Sequence, residues 1–490
     1  MRYILGIDQS TQGTKAILVD AAGALIGRAD RPHAQIVNEV GWVSHDLDEI
    51  WRNTIAVARD VVAACGIDPA DIGAVGISNQ RETGAMWRAD GTPLNLAVVW
   101  QCARGKDIAA RLQDRAGEIE RRTGLRLSPY FTAAKFAWLL ENTRFPAGMD
   151  PAEIRLGTID SWLVYRMTGG RSFRTDCSNA SRTQLFNIRD LRWDEEICRW
   201  FGIPAASLPE VCDSNADFGA TDLEGLLPAP VPIRGVMGDS HAALYGQGCH
   251  EPGMVKATYG TGSSIMMNTG RRAVESRNGL VTSLAWGIDG EVSYVMEGNI
   301  NYSGAVVTWL KDQVRLIDSA AETSALAEQA NPQDRTVLIP AFSGLGAPYW
   351  NDGVSARLTG MSRTTGRNEI VKAALDSIAF QINAVVTIMS EESSYPLREL
   401  RVDGGATRND YLMQFQSDLC AADIRISGVE ELSAIGAAYM AGQAAGLCDR
   451  ETLFRGRSFR MVHPRMPAEE RSRRLALWNE AVRDLLGAAP

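Results

Sequence analysis

No CxxC pair and no cysteine–histidine cluster with metal-ligand spacing occurs in this 490-residue chain, although it holds eight cysteines and five histidines. That excludes the common structural zinc sites and fits buried, reduced thiols in a cytoplasmic protein. There is no GxxxxGK[ST], so a P-loop cannot be the nucleotide site. No apolar run approaches the roughly 20 residues that span a bilayer, and no membrane insertion is expected. The opening residues, MRYILGIDQS, reach Asp8 too early for a secretory signal, so a cytoplasmic location is expected. An excess of cations is also missing: 50 lysines and arginines stand against 59 aspartates and glutamates, a net charge of -9. Nucleic acid is therefore not an expected partner. The basic cluster RSRRLALW reads as the solvated face of a helix.

What is present is an ordinary globular composition, 45% hydrophobic and 22% charged. A chain of this length exceeds one hydrophobic core, which predicts two domains. The first element reads as a β-meander: strands at 3–7, 16–20 and 25–29, with a polar turn at 9–15. Residues 48–64 carry helical periodicity through Ile50, Ile55, Val57 and Val61. AVGISNQ then reads as a buried strand, and the alternation predicts an α/β domain. The pattern returns after residue 250. MVKATYGTGSSIMMNTG again gives strand, hydroxylic turn, strand, followed by a strand (SYVMEG) and a helix (GAVVTWLKDQV). Duplicated domains follow, with the division expected at GQGCHEPG, giving residues 1–247 and 248–490 around a cleft.

The two turns, DQSTQGTK and TYGTGSS, concentrate backbone N–H groups and hydroxyls, a composition suited to phosphate. Asp8 beside the first turn needs a cation between itself and a phosphate, and Mg²⁺ suits one or two carboxylates plus nucleotide phosphates. RVDGGATRND is a glycine turn opening a helix, where a ligand can approach the backbone closely. Arg81 and Glu82 end the strand AVGIS, and Trp100 and Tyr130 supply aromatic faces. Charged groups beside an aromatic wall suit a hydroxylated acceptor. The aspartate of GDSHAAL, Asp239, follows an apolar strand and reads either as a helix cap or as a catalytic group.

These segments together resemble the FGGY family of carbohydrate kinases, over roughly residues 3–450, and within it the glycerol kinases most. The matching segments include GIDQSTQGTKA, GISNQRET, AVVWQC, PYFTAAKFAWLLEN, TDCSNASRTQLFNI, TYGTG, PAFSGLGAPYW, RVDGGATRNDYLMQFQSD and SAIGAAYMAG. The resemblance implies two ribonuclease-H-like domains of the actin and hexokinase type, with ATP and Mg²⁺ in the cleft. It implies transfer of the γ-phosphoryl group to a hydroxyl of a small polyol or sugar, glycerol first. Asp239 would then be the general base. Asp8 and Asp239 would hold Mg²⁺, largely through water. Thr11, Gln12 and Lys15 would line the first phosphate turn, and Thr261 and Gly262 the second. Gly304, Thr308, Gly405, Ala406 and Asn409 would complete the ATP site. Arg81, Glu82, Trp100, Tyr130, Asp239, Ser240 and Ser264 would bind the acceptor.

Two positions depart from the glycerol-kinase pattern. Ser240 replaces a glutamine and Ser264 an aromatic residue, so a tetritol, a pentitol, ribulose or xylulose is an alternative acceptor. The run GLLPAPV lacks the Gly-Gly-Thr-Arg of the family's fructose bisphosphate loop, so regulation by that sugar is not expected. The resemblance also suggests a homo-oligomer, dimer or tetramer. The same architecture serves ATP-driven switches of the actin and Hsp70 kind. Arg81, Glu82, Trp100 and Tyr130, which a switch does not need, argue against that alternative.

Overall fold

The computed structural model describes residues 2–455 and 457–487. Its first sheet contains β1 (Tyr3–Gln9), β2 (Gly13–Asp20), β3 (Leu25–Pro32), β4 (Ile72–Asn79), β5 (Ala220–Thr221) and β6 (Val231–Gly238), in the order β3-β2-β1-β4-β6-β5. The first three form an antiparallel meander, and β4 and β6 run parallel to β1. The second sheet contains β7 (Val255–Tyr259), β8 (Ser263–Gly270), β9 (Val281–Ile288), β10 (Glu291–Ile300), β11 (Glu399–Asp403), β12 (Asp423–Ser427) and β13 (Phe459–Val462). Its order is β9-β10-β8-β7-β11-β12-β13. With β9 set aside as an added edge, both sheets share one plan: a three-stranded meander, two parallel strands and an antiparallel edge. The expected duplication of a ribonuclease-H-like α/β unit is thus present.

The first turn is shorter than the sequence reading. Residues 9–15 were expected to turn, but pairing continues through Asp8↔Lys15 and Gln9↔Thr14. Only Ser10, Thr11 and Gln12 remain at the tip. Polar side chains do not end a strand whose backbone groups still have partners.

Helix α1 (Leu47–Cys65) starts at Asp46, whose carboxylate accepts from the Asp48 amide, and stops at Gly66 with φ 62°. Its apolar face, with Leu47, Ile50, Trp51, Ile55, Val57 and Val61, is buried in the first domain's core. The other helices that shape the site are α2 (Thr132–Asn142), α3 (Asp239–Gly246), α4 (Gly304–Asp312), α5 (Arg367–Ser393), α6 (Asp410–Cys420) and α7 (Leu432–Ala444). Two more follow, α8 (Arg450–Arg455) and α9 (Ala468–Gly487). The RSRRLALW cluster lies on α9, where Arg473 and Arg474 pair with Glu470 at 2.7 Å each.

Helix α7 crosses over to pack on β1, β4 and β6 as well as α3. Glycine makes that crossing close. A Cβ on Gly436 would lie 1.9 Å from the Ala242 carbonyl oxygen, and one on Gly246 would lie 2.4 Å from that of Leu432. The helix that begins with Asp239 is therefore clamped backbone to backbone against the C-terminal half of the chain.

One expectation is corrected. Helix α5 is long and apolar enough to cross a membrane, yet 78% of its apolar stretch is buried inside the fold. Asp376, Ser377, Gln381 and Asn383 interrupt the run in the sequence, but all four are buried. α5 is a core helix of the second domain.

Candidate active site

Parallel strands bring the expected residues to one edge. Gln9, Asn79 and Gly238 are level across β1, β4 and β6. The first hairpin tip, Arg81–Glu82 and Asp239 therefore all emerge from the carboxyl ends of neighbouring strands, the usual ligand edge of α/β sheets. In the second sheet Thr258 is level with Ser264 and Asp403, so the tip Gly260–Gly262 and the Gly404 turn emerge together. Two contacts join the edges. Gln247 Nε2 donates to Asp403 Oδ2 at 2.8 Å, and Arg81 reaches Glu297 of β10.

Arg81 organises the acceptor side. Its Nε donates to Asp239 Oδ1 at 3.1 Å and its Nη2 to Ser240 Oγ at 3.1 Å. Nη1 and Nη2 also donate to the two carboxylate oxygens of Glu297, each at 2.9 Å. Burial opposes the charge on Arg81, but Glu297, then Glu82 and Asp239, more than offset it and hold the guanidinium protonated. Arg182 lies 2.7 Å from Glu297 and donates to Glu82 Oε1 at 2.6 Å. Glu82 itself has φ 61°, a left-handed conformation that is costly outside glycine and clusters at functional sites. The result is a buried lattice of Arg81, Arg182, Glu82 and Glu297, with the half-exposed Asp239 carboxylate at its open end.

The aromatic wall forms as expected. The Trp100 and Tyr130 rings meet edge to face at 5.6 Å. Trp100 Nε1 donates to Thr11 Oγ1 at 2.8 Å, tying the wall to the first hairpin tip. Tyr130 is held from below by Lys135 of α2, which is fully buried. Its Nζ donates to the carbonyls of Pro129 at 2.9 Å and Phe131 at 3.1 Å, and to that of Tyr130. Burial pushes the Lys135 ammonium down to about 7, against the raising effect of Glu82. Ser264 Oγ lies 3.5 Å from the buried Lys256 Nζ.

Each hairpin tip presents unpaired backbone donors. The amides of Thr11 and Gln12, and those of Thr261 and Gly262, find no acceptor among the described residues. At the second tip the carbonyls are occupied. Gly260 O accepts from the Gly304 amide at 2.9 Å, and Thr261 O accepts from Ser303 at 2.9 Å and Ala305 at 3.0 Å. The tip thus seals the start of α4 and turns its own N–H groups outward, an arrangement suited to phosphate oxygens. Gly304 allows this approach, since a Cβ there would sit 2.8 Å from Gly260 O.

Other expected nucleotide residues have partners already. Lys15 Nζ pairs with Glu431 at 2.9 Å. Asn409 caps α6 by accepting from the Leu412 amide at 2.9 Å, and its Nδ2 donates to Thr323 at 2.8 Å. Thr308 is exposed on α4, and its hydroxyl donates to Gly304 O at 3.2 Å. Gly405 and Ala406 open the turn after Gly404, which has φ 97° and passes directly over Tyr259.

The cleft carboxylates fit a hard divalent cation. Asp8 is buried and accepts from Ser78 Oγ at 2.7 Å. Burial lifts it to about 6; Ser78 and Lys15 act the other way, and the nearby charge of Asp239 adds to the rise. Asp8, lifted in part by a neighbouring carboxylate, and Asp239 form the kind of oxygen donor set that suits Mg²⁺. Among the described residues no group of three or more His, Cys, Asp or Glu side chains is placed to hold a metal by protein ligands alone.

Several supporting residues were missed by the sequence reading. Gln80 donates to Gln9 Oε1 at 2.9 Å and lies 3.2 Å from His45 Nδ1, while His45 Nε2 lies 3.1 Å from Gln35 Oε1. Gln35 in turn donates to the Thr11 carbonyl. This network props the first tip. Glu297 and Arg182 were missed as well. A carboxylate inside the apolar run SYVMEGNI was the available signal for Glu297. His241, next to Asp239, is buried, and its Nε2 lies 3.3 Å from Ser283 Oγ.

Comparison with known proteins agrees with this geometry. The N-terminal domain model of the FGGY family of carbohydrate kinases matches residues 3–246, and the C-terminal domain model matches residues 255–445. Glycerol kinase of Symbiobacterium thermophilum is 45% identical, covering 99% of this chain and 99% of its own length. Glycerol kinase 2 of Thermotoga maritima is 43% identical with the same coverage of both chains. Among solved structures, glycerol kinase of Plasmodium falciparum with ADP superposes with a TM-score of 0.92 at 33% identity, over 99% of this chain and 98% of that one. A xylulose kinase of Lactobacillus acidophilus shares the fold, with a TM-score of 0.88 at 20% identity over 100% of this chain and 99% of that one. The chain belongs to the FGGY family of carbohydrate kinases.

Proposed function

We propose that this kinase transfers the γ-phosphoryl group of ATP to a terminal hydroxyl of a small polyol, glycerol first, with Asp239 as general base. One observation carries the reading. Asp239 stands at the start of α3, fixed by Arg81, at the edge where the aromatic wall and the first phosphate tip meet. The division of labour we infer places acceptor and base in residues 1–247 and most nucleoside contacts in residues 248–490.

An alcohol is a poor nucleophile at neutral pH. A carboxylate in hydrogen-bond reach removes its proton as the bond to phosphorus forms. Arg81 and Glu82 orient the acceptor hydroxyls, and the Trp100 and Tyr130 faces pack against its C–H groups. The amides of Thr11, Gln12, Thr261 and Gly262 receive the phosphate oxygens, aligning the transferred group and neutralising its charge. Asp8 and Asp239 would hold Mg²⁺, which when bound neutralises charge on the phosphates. Closure of the two edges excludes water, which would otherwise take the phosphoryl group.

A second acceptor reading rests on Ser240 and Ser264. Both side chains are short, and Ser240 Oγ is already spent on Arg81. That leaves room on the acceptor face for a four- or five-carbon polyol or ketose. The test is coupled ADP release with MgATP and a panel of glycerol, erythritol, threitol, xylitol, ribitol, ribulose and xylulose. The kinase reading requires turnover that depends on an acceptor; full-rate ATP hydrolysis without one contradicts it. Glycerol with the highest kcat/KM supports the first acceptor reading, and a longer acceptor ahead by about tenfold supports the second, a difference of about 1.4 kcal/mol in transition-state binding.

A further inference from the structure

Two residues before Asp403 on β11, Arg401 lines a separate cavity of about 540 Å³. Five arginines line it, Arg401, Arg425, Arg450, Arg455 and Arg457, against two carboxylates, Glu251 and Glu451. Part of this charge is paired. Arg455 meets Glu451 at 2.6 Å, and Glu399 takes Arg401 at 2.8 Å and Arg425 at 3.8 Å. Arg450 and Arg457 have no ion-pair partner among the described residues.

Arg457 is the telling group. Its guanidinium is held between the rings of Tyr439 at 4.9 Å and Phe454 at 4.8 Å, and its Nη1 donates to the Gly246 carbonyl. Its Nε and Nη2 are buried and have no acceptor among the described residues. Those two N–H groups form the edge of the guanidinium that matches two oxygens of one anion. Buried donors without partners are costly, and native proteins rarely leave them so. His250 Nε2, also in the lining, is buried without a partner among the described residues too.

We propose that this cavity binds a phosphate group, carried by a sugar-sized ester. Arg457 and, at the exposed rim, Arg450 supply the cations that attract the phosphate oxygens. Phe454, Phe459 and Met254 offer apolar surface for the carbon part of the ester, and the volume suits a small ligand. The site is distinct from the catalytic cleft but touches both halves of it. Arg401 donates to the Gln247 carbonyl at 2.7 Å, and the Gln247 side chain donates to Asp403.

The experiment is isothermal titration of the full chain in saturating ADP, which fills the nucleotide site. The titrants are glucose 6-phosphate, inorganic phosphate and glucose. Wild type should bind glucose 6-phosphate saturably, one per chain, and glucose not at all. Arg457→Gln should weaken that binding at least tenfold. Arg450→Gln, on the exposed face of α8, should weaken it about threefold while leaving the KM for ATP unchanged. Inorganic phosphate binding as tightly as the ester supports the same site with free phosphate as its occupant. Absence of saturable binding by either phosphate, or equal affinity in wild type and both variants, overturns the proposal.

Discussion

Glu297→Gln isolates the buried charge lattice from the rest of the site. Glu297 accepts two bonds from Arg81 at 2.9 Å and sits 2.7 Å from Arg182, all out of solvent. Glutamine keeps the shape but removes the charge, and its amide turns an N–H toward a guanidinium that can only donate. Removing one partner of a buried ion pair costs about 3–5 kcal/mol. Glu82 still faces Arg182, and Asp239 still faces Arg81, so the lower end, about 3 kcal/mol, is expected. The change also reaches the chemistry. Arg81 loses its bidentate anchor and closes on Asp239, so kcat/KM should fall about 30-fold, or about 2 kcal/mol.

Urea unfolding and steady-state kinetics read the two effects separately. Burial opposes the charge on Glu297, but Arg182 and Arg81 outweigh it and hold the carboxyl well below its usual range. The stabilisation is therefore complete above the unfolded value near 4.5 and fades only in strong acid. The stability difference between variant and wild type should stay constant from about pH 8 to about pH 5. A loss below about 1 kcal/mol together with less than a threefold change in kcat/KM would refute the positioning role of Glu297.

Lys135→Met should raise the acceptor KM about tenfold with little change in the KM for ATP, because it frees the loop of Tyr130 and leaves the phosphate tips intact; equal changes in both KM values would argue against it. His45 predicts an acid-side loss of stability. Burial holds it down to about 3, so below pH ~6.5 the unfolded chain takes up a proton that the folded chain refuses. Stability should fall by up to about 2 kcal/mol from pH 6.5 to pH 5. His45→Gln should show that much less pH dependence over the same range, measured by urea midpoints.

The elements that were legible in the sequence are those set by local pattern. The meander, α1 and the two hydroxylic hairpins follow from alternation, helical period and turn composition. The strand-end positions of Arg81, Glu82 and Asp239 followed as well, since a parallel strand delivers its next residues to the ligand edge. What escaped depends on partners far apart in the chain. Glu297 meets Arg81 from 216 residues away, and Arg182 meets Glu82 from 100. No spacing rule announces such pairs. The family resemblance places Lys15 at the first phosphate tip; its pairing with Glu431, 416 residues on, had no signal in the sequence. Asn409 read as a nucleotide contact, and its side chain is engaged in capping α6. The arginine cavity was hidden for the same reason, since its cations come from three separate segments.

The central claim is that Asp239 takes the proton from the acceptor hydroxyl. The most direct measurement pairs ATP-binding titration with single-turnover phosphoryl transfer in Asp239→Asn, using the best acceptor of the panel. Asparagine can still accept from Arg81 but cannot take a proton. ATP should bind within about threefold of wild type, while transfer falls by about 10²–10⁴-fold. Transfer retained within tenfold, with ATP binding intact, would contradict the assignment of Asp239 as the base.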